Sequence, residues 1–334
     1  MRLQIIKTIL FGAGIFISSS IFAQFGSGPF SLTELGDGLY QVNTGPAVSP
    51  VSIFLVTDEG ILIVDPPNPA TAEWIQEQLQ ELFPDQQVRY VIESHYHWDH
   101  IRGAETFSDT AVYVSHMNMP ENLAASIQEA PPPGDTRDEN GDGLLDRNEA
   151  RTGTLQNFDA LDRNGDGFLS QAELAPAVVP DIVFSDEIQL MLGGKRITLL
   201  WAGNRHTNDL VDVYFPDHKV LFAGDYVWIN RMCCYFQFDR RPLDTWIESL
   251  RNLEELDFDL LVNSHYESGS KADLIAFRRW LEDLKFAVSS RIADGMSLEE
   301  IQSDVSLEAY ANWANFDTQL EAIIESAYGS LMLE

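Results

Sequence analysis

Apolar and polar positions along the chain follow two periods. From Gly36 to Asp65 the apolar runs are short: Leu39-Tyr40-Gln41-Val42, then Ser52-Ile53-Phe54-Leu55-Val56, then, after a turn at Asp58-Glu59-Gly60, Ile61-Leu62-Ile63-Val64. Runs of this length between turn residues predict strands, and the last, apolar throughout, predicts a strand buried on both faces. Pro66-Pro67 ends it. Between Ala72 and Leu82 the spacing becomes helical, with Trp74, Ile75, Leu79 and Leu82 on one face. Val88 to Glu93 and Val112 to Val114 read as strands. Pro131-Pro132-Pro133-Gly134 then breaks the pattern, and a polar, acidic stretch runs to about Ala177. Strand patterns resume at Ile182 to Phe184, Ile188 to Leu192, Ile197 to Trp201, Val211 to Phe215, Val220 to Ala223 and Leu260 to Val262. Leu243 to Leu256 and Lys271 to Ile292 read as helices, and a last helical region runs from Ser297 to about Leu331. Strands and helices mixed in this order predict an α/β domain over 24–130 and 181–334, with an insertion over 131–180.

The N-terminus stands apart from this pattern. Arg2 and Lys7 precede the apolar run Ile9 to Ile17, then Ser18-Ser19-Ser20 and Ile21-Phe22-Ala23. This predicts a signal peptide over 1–23, cut after Ala23, and a periplasmic or secreted protein. The run is shorter than the ~20 residues a membrane-spanning helix needs, so no stable membrane insertion is expected after cleavage. The formal charge is −31, from 52 acidic and 21 basic residues, and losing Arg2 and Lys7 makes it more acidic still. A surface of that sign excludes nucleic acid as a partner and attracts cations. The two cysteines, Cys233 and Cys234, are adjacent, which excludes a disulfide framework and reads as buried thiols. Oligomeric state leaves no mark in the sequence.

The densest chemistry is Ser94-His95-Tyr96-His97-Trp98-Asp99-His100, directly after a buried strand. Imidazole and carboxylate are ligands for zinc and related ions. Residues two apart on an extended segment face the same way, so His95 and His97 can grip one ion together. Asp99 and His100, where the chain turns into a helix, can reach a second. His116 and His218 fit no such pattern and read as surface or structural.

His-x-His-x-Asp-His after a strand resembles the hallmark of the metallo-β-lactamase superfamily. Further segments resemble the family in order: Trp201-Ala202-Gly203-Asn204-Arg205-His206-Thr207, Leu221-Phe222-Ala223-Gly224-Asp225 and Asn263-Ser264-His265. The resemblance implies an α/β fold, a four-layer αβ/βα sandwich. It implies a first metal on His95, His97 and His206, a second on Asp99, His100 and His265, and Asp225 bridging both. Asp65 matches an aspartate expected to support the ligand loops from behind. Two zinc ions are implied, with iron or manganese as alternatives. A metal-bound hydroxide would then attack the carbonyl of a small-molecule ester, thioester, lactone or amide, a β-lactam included, with Asp99 orienting the nucleophile as the catalytic residue. The chain departs from the family at His206-Thr207-Asn208-Asp209, one residue shorter than the usual segment, and at Tyr266, where glycine is usual. Trp98, Trp228, Arg231 and Tyr266 are candidate pocket walls. A glutathione-binding C-terminus, a flavin domain and a carboxylate-binding lysine are not discernible.

The insertion carries a second motif twice. Asp138-x-Asn140-x-Asp142-Gly143-Leu144-Leu145-Asp146-x-x-Glu149 and Asp162-x-Asn164-x-Asp166-Gly167-Phe168-Leu169-Ser170-x-x-Glu173 each match a twelve-residue EF-hand loop. Oxygens at positions one, three, five, nine and twelve, with the carbonyls of Leu144 and Phe168 at seven, suit two calcium ions. Only one short helix fits between the loops, and Leu145 and Leu169 are placed to pair them. The leading expectation is an exported zinc hydrolase with a structural calcium clip. The alternatives are an iron-containing redox enzyme on the same ligands and a calcium-binding scaffold without activity.

Overall fold

The computed structural model describes residues 24–25, 30–45, 49–128, 139–140, 142, 144–150, 155, 158–162, 164–174, 178–232, 238 and 242–333. The expected signal peptide, Asp138, Gly143 and both cysteines lie outside them.

Two sheets face each other. The first is a row of eight strands in chain order: β1 (Gln24–Phe25), β2 (Ser31–Gly36), β3 (Leu39–Asn43), β4 (Ser52–Thr57), β5 (Gly60–Val64), β6 (Val88–Ile92), β7 (Val112–His116) and β8 (Ile182–Phe184). It is an antiparallel meander up to β5 and parallel from β5 to β8. The second holds β9 (Glu187–Leu192), β10 (Lys195–Leu200), β11 (Asp212–Phe215), β12 (Val220–Ala223), β13 (Leu260–Asn263) and β14 (Gly269–Ser270), with β12 and β13 parallel. Ile53, Leu55 and Val64 from one sheet meet Ile197, Val213 and Phe222 from the other in the central core.

Helices cover both outer faces, which makes the expected four layers. α1 (Pro69–Leu82) starts where Asn68 Oδ1 accepts the Thr71 amide at 2.9 Å and Pro69 occupies the first turn. It lays Ala72, Ile75 and Leu79 on Phe54, Ile61 and Ile63. Leu82, predicted on that face, is 44% exposed, as the last residue of the helix before its cap at Phe83. On the second sheet, α6 (Leu243–Glu254), α7 (Lys271–Ala293), α8 (Leu298–Asp304) and α9 (Phe316–Met332) bury Trp246, Phe277, Trp280 and Ile324 against Leu221 and Leu261. The single helical region predicted after Ser297 is two helices, separated by left-handed residues at Leu307 and Asn315.

Between β6 and β8 lie α2 (Trp98–Ile101), α3 (Met119–Gln128), α4 (Phe158–Leu161) and α5 (Gln171–Leu174). The predicted insertion therefore falls inside a crossover between two paired parallel strands, β7 and β8. Leu145 and Leu169 form the expected antiparallel bridge, with N–H···O distances of 3.0 and 2.8 Å. Among the described residues no helix is long and apolar enough to cross a membrane.

Candidate metal centre

The seven predicted ligands arrive on five segments. His95 and His97 follow β6, Asp99 and His100 lie on α2, His206 is on the β10–β11 loop, Asp225 follows β12 and His265 follows β13. Four of these segments leave, directly or after one turn, from the C-terminal ends of parallel strands. Parallel neighbours end at the same edge, so their loops converge there. Two bonds tie the sheets together at this edge: Val211 N to Ser94 O at 2.8 Å and Val51 N to Ser264 O at 2.6 Å.

All seven come together, in two groups that share Asp225. His95, His97, His206 and Asp225 place one donor atom each within 4.8 Å of one another, as do Asp99, His100, Asp225 and His265. In the first group His206 Nε2 lies 3.0 Å from His97 Nδ1 and 3.8 Å from Asp225 Oδ2, and His95 Nε2 lies 4.0 Å from the same oxygen. In the second, His100 Nε2 is 3.2 Å from Asp225 Oδ1, and His265 Nε2 is 3.3 Å from both Asp225 Oδ2 and Asp99 Oδ2.

The donor set fits divalent ions. His95 is fully buried; its Nδ1 meets Ser94 Oγ at 2.9 Å, while its Nε2, aimed at the cluster, has no hydrogen-bond partner. A buried, orphaned imidazole nitrogen is costly unless something takes its lone pair. Burial, reinforced by His100 and His97, pulls the His95 pKa well below the ordinary value, which keeps it in the neutral form that a metal ligand needs. Burial works against the charged forms of Asp225 and His265 as well, but the pull of His100 and His265 on Asp225, and of Asp225 and Asp99 on His265, prevails. Asp225 is held well below the usual carboxylate range, and His265 is pushed up to about 10. Nitrogen and oxygen donors in a site that demands positive charge suit zinc-like ions.

A layer of buried groups aims these ligands. Asp65, fully buried at φ 49°, accepts the Ser94 amide at 2.7 Å, Ser94 Oγ at 2.6 Å and His100 Nδ1 at 3.0 Å. A carboxylate only accepts, so His100 carries its proton on Nδ1 and turns Nε2 toward the cluster. Ser264 Oγ donates to Asp225 Oδ1. The serine before a ligand histidine thus does the orienting twice, at Ser94 and at Ser264. Asp209, also buried, accepts the Tyr96 amide at 3.1 Å and ties the shortened His206 loop to the His95–His100 loop.

Some supporting residues had no sequence signal. Arg205, beside His206, is fully buried, pairs with Asp212 at 2.5 Å and lies 4.1 Å over the Tyr226 ring. Tyr226 Oη donates to Asp212 at 3.0 Å. This network pins the loops carrying His206 and Asp225.

Two of the four candidate wall residues are elsewhere. Trp228 is buried in the helix-covered core against Trp246 and Phe277, because β12 and the loop after it turn that side toward the helices. Trp98 is buried against the inserted segment. Arg231 and Tyr266 remain beside His265, the guanidinium 4.1 Å over the ring. Tyr266, where the family usually has glycine, takes φ 62°, a conformation glycine adopts without strain. His116 is buried, stacked on Trp201 at 5.1 Å, and bonds Ser185 O at 2.9 Å, while His218 sits in the β11–β12 turn, so both are structural.

The described part of the insertion turns Glu149 and Glu173 inward. Glu149 Oε1 accepts the amides of Glu139 and Asn140 at 3.1 and 3.3 Å, and Oε2 accepts that of Asp146 at 3.0 Å. In the second loop Glu173 Oε2 accepts the Ser170 amide at 2.9 Å, and Asp162 Oδ2 accepts that of Gly167 at 2.9 Å. Gly167, at position six, has φ 86°, which explains glycine there.

Residues 46–265 match the family model of the metallo-beta-lactamase superfamily. The chain belongs to that superfamily. Its fold is also that of several solved structures. A double mutant of the sec-alkyl sulfatase PisA1 superposes with a TM-score of 0.65 at 16% identity, over 90% of this chain and 50% of that one. The stereoselective inverting sec-alkylsulfatase Pisa1 from Pseudomonas sp. gives 0.63 at 15% identity, over 89% and 49%. A metallo-beta-lactamase from Pontibacter korlensis gives 0.55 at 17%, over 76% and 99%. This metallo-β-lactamase-fold chain spans about half the length of the alkylsulfatases, and at these identities the likeness is one of fold. No curated protein matches it significantly.

Proposed function

We propose that this protein is an exported, zinc-dependent hydrolase that holds two ions: one on His95, His97 and His206, one on Asp99, His100 and His265, with Asp225 between them. The observation that carries this reading is the convergence of two donor groups on one shared carboxylate. Bound zinc supplies Lewis-acid polarisation of a carbonyl oxygen and an activated water at neutral pH. The chain's own residues do the rest. Asp65, Ser94 and Ser264 fix the ligand rings and the bridging carboxylate. Asp99, the most exposed of the seven at 52% of its side chain, has Oδ2 3.3 Å from His265 Nε2, and its carboxylate can accept a hydrogen bond from the attacking water and so orient it. Arg231 and Tyr266 border the cluster on the His265 side and offer a cation and an aromatic face to a substrate.

We further propose that Asp138, Asn140, Asp142, Leu144, Asp146 and Glu149 hold one calcium ion, and Asp162, Asn164, Asp166, Phe168, Ser170 and Glu173 a second. The inward-facing Glu149 and Glu173 and the Leu145–Leu169 bridge support this.

A panel of carboxylic ester, thioester, lactone, nitrocefin and sec-alkyl sulfate, the last prompted by the alkylsulfatase fold neighbours, tests the hydrolase reading. Turnover of at least one class that needs zinc and is lost in His97→Ala is expected. No zinc-dependent turnover of any class overturns it. Iron retained on native purification, with activity that follows iron, would favour the redox alternative.

A further inference from the structure

The ligands of the centre are not held equally. His100 is fixed by Asp65 and His95 by Ser94. Asp99 has no such support: its half-exposed carboxylate has the ligand histidines themselves as close partners among the described residues. Its helix, α2, is four residues long, and His97 at its start makes no side-chain capping bond. So short a helix has almost no stability of its own, and tertiary packing must fix it.

Buried side chains supply that packing. Ile101 packs with Met119 and Leu123 of α3. Trp98, between His97 and Asp99, is 9% exposed and packs with Leu145, Ala150, Phe158, Leu161, Leu169 and Leu174. All six lie in the inserted segment. A tryptophan buries roughly 150–250 Å² of surface, so Trp98 is the largest member of that core. A segment of about 50 residues rarely builds a sufficient core alone. Order in the insertion and placement of Trp98 are therefore one equilibrium. Leu145 and Leu169, both fully buried in this core, are also the bridge between the two acidic loops. Closing a loop on a cation sets the pair that packs on the indole.

We infer that Trp98 is a positioning residue through which the inserted loop pair sets His97 and Asp99, so that calcium in the loops and a transition metal at the histidine centre strengthen each other's binding. This rests on the calcium reading of the loops given above. The two sites differ in chemistry: oxygen donors in the loops favour calcium, and imidazole favours the transition metal, so each can be filled separately.

The test uses the full chain, cobalt(II) as a coloured probe of the histidine centre, and calcium chloride. Calorimetry first measures calcium binding. Cobalt affinity is then measured by its visible absorption with and without calcium. The expected result is a gain in cobalt affinity of about fivefold or more with calcium, and the same factor in calcium affinity with cobalt, since linkage is reciprocal. Glu149→Gln with Glu173→Gln abolishes calcium binding in calorimetry and with it the gain; a gain that survives the loss of calcium binding overturns the coupling. Trp98→Ala retains calcium binding and brings the factor below about twofold, the threshold set well under the weakest typical coupling. If that variant does not fold, Trp98→Phe decides, with a factor at most half that of the wild type. No calcium binding overturns the loop reading itself. Calcium binding with a factor under twofold in the wild type overturns the coupling alone. Full coupling in the folded Trp98 variants overturns the route through Trp98.

Discussion

Replacing Asp65 by asparagine tests how the centre is aimed. The backbone tolerates the change, because Asp65 sits at φ 49°, a left-handed conformation that asparagine also adopts readily. The hydrogen bonds do not. One oxygen must still accept the Ser94 amide, now at 2.7 Å, which puts the new NH₂ where Oδ2 stands, 2.6 Å from Ser94 Oγ and 3.0 Å from His100 Nδ1. That NH₂ then faces the Nδ1 proton of His100. The conflict is relieved by moving the proton to Nε2, the nitrogen that lies 3.2 Å from Asp225 and must offer a lone pair to an ion. Loss of such a supporting carboxylate typically lowers metal affinity about 10–100-fold, or roughly 1.4–2.7 kcal/mol. The loss is expected at the ion held by Asp99, His100 and His265, with a smaller one at His95, which Asp65 reaches only through Ser94. Zinc competition against a chromophoric chelator resolves the two affinities. Both affinities within threefold of the wild type would refute the reasoning.

Three further substitutions probe the scaffold. Arg205→Gln leaves Asp212 buried without its cation and should cost about 3–5 kcal/mol in urea unfolding; a change under about 1 kcal/mol would show the pair to be dispensable. Gly103→Ala places a Cβ 2.5 Å from Asn68 O and 2.7 Å from Ala72 Cβ, so it should destabilise by about 1–3 kcal/mol in the same assay, whereas an unchanged midpoint would mean that α1 and the α2 turn can part freely. Glu93 is fully buried with neither oxygen hydrogen-bonded, and burial, then Asp65, Asp181 and Asp209, raise its pKa well above the ordinary 4.5. A raised carboxyl supports folding below its unfolded pKa and loses that support as pH rises. Thermal scans of Glu93→Gln should therefore match the wild type below about pH 4.5 and exceed it increasingly toward neutrality; a gap independent of pH would contradict the assignment.

The centre was legible where chemistry and local spacing coincide. His95 to His100 announces itself because four ligand-type residues follow one buried strand. His206, Asp225 and His265 carry no such local signal and came from the resemblance; they converge because β10, β12 and β13, which run the same way in the second sheet, end at one edge. What stayed hidden depends on which partner covers a side chain. Trp98 and Trp228 look like pocket walls in a linear pattern, yet an inserted core claims one and the helical layer the other. Arg205 reads as a surface residue until Asp212 and Tyr226 are brought around it. Tyr266 was visible as a departure from the family's glycine, but only its φ of 62° shows that the backbone bend is kept.

Metal content of the purified chain addresses the centre most directly. Dialysed against zinc and then against metal-free buffer, the wild type should retain two equivalents at the histidine centre. Asp225→Ala should lose both affinities together, because both donor groups close on that carboxylate. A folded wild type that retains no transition metal, or an Asp225→Ala variant that keeps both ions, would contradict the account.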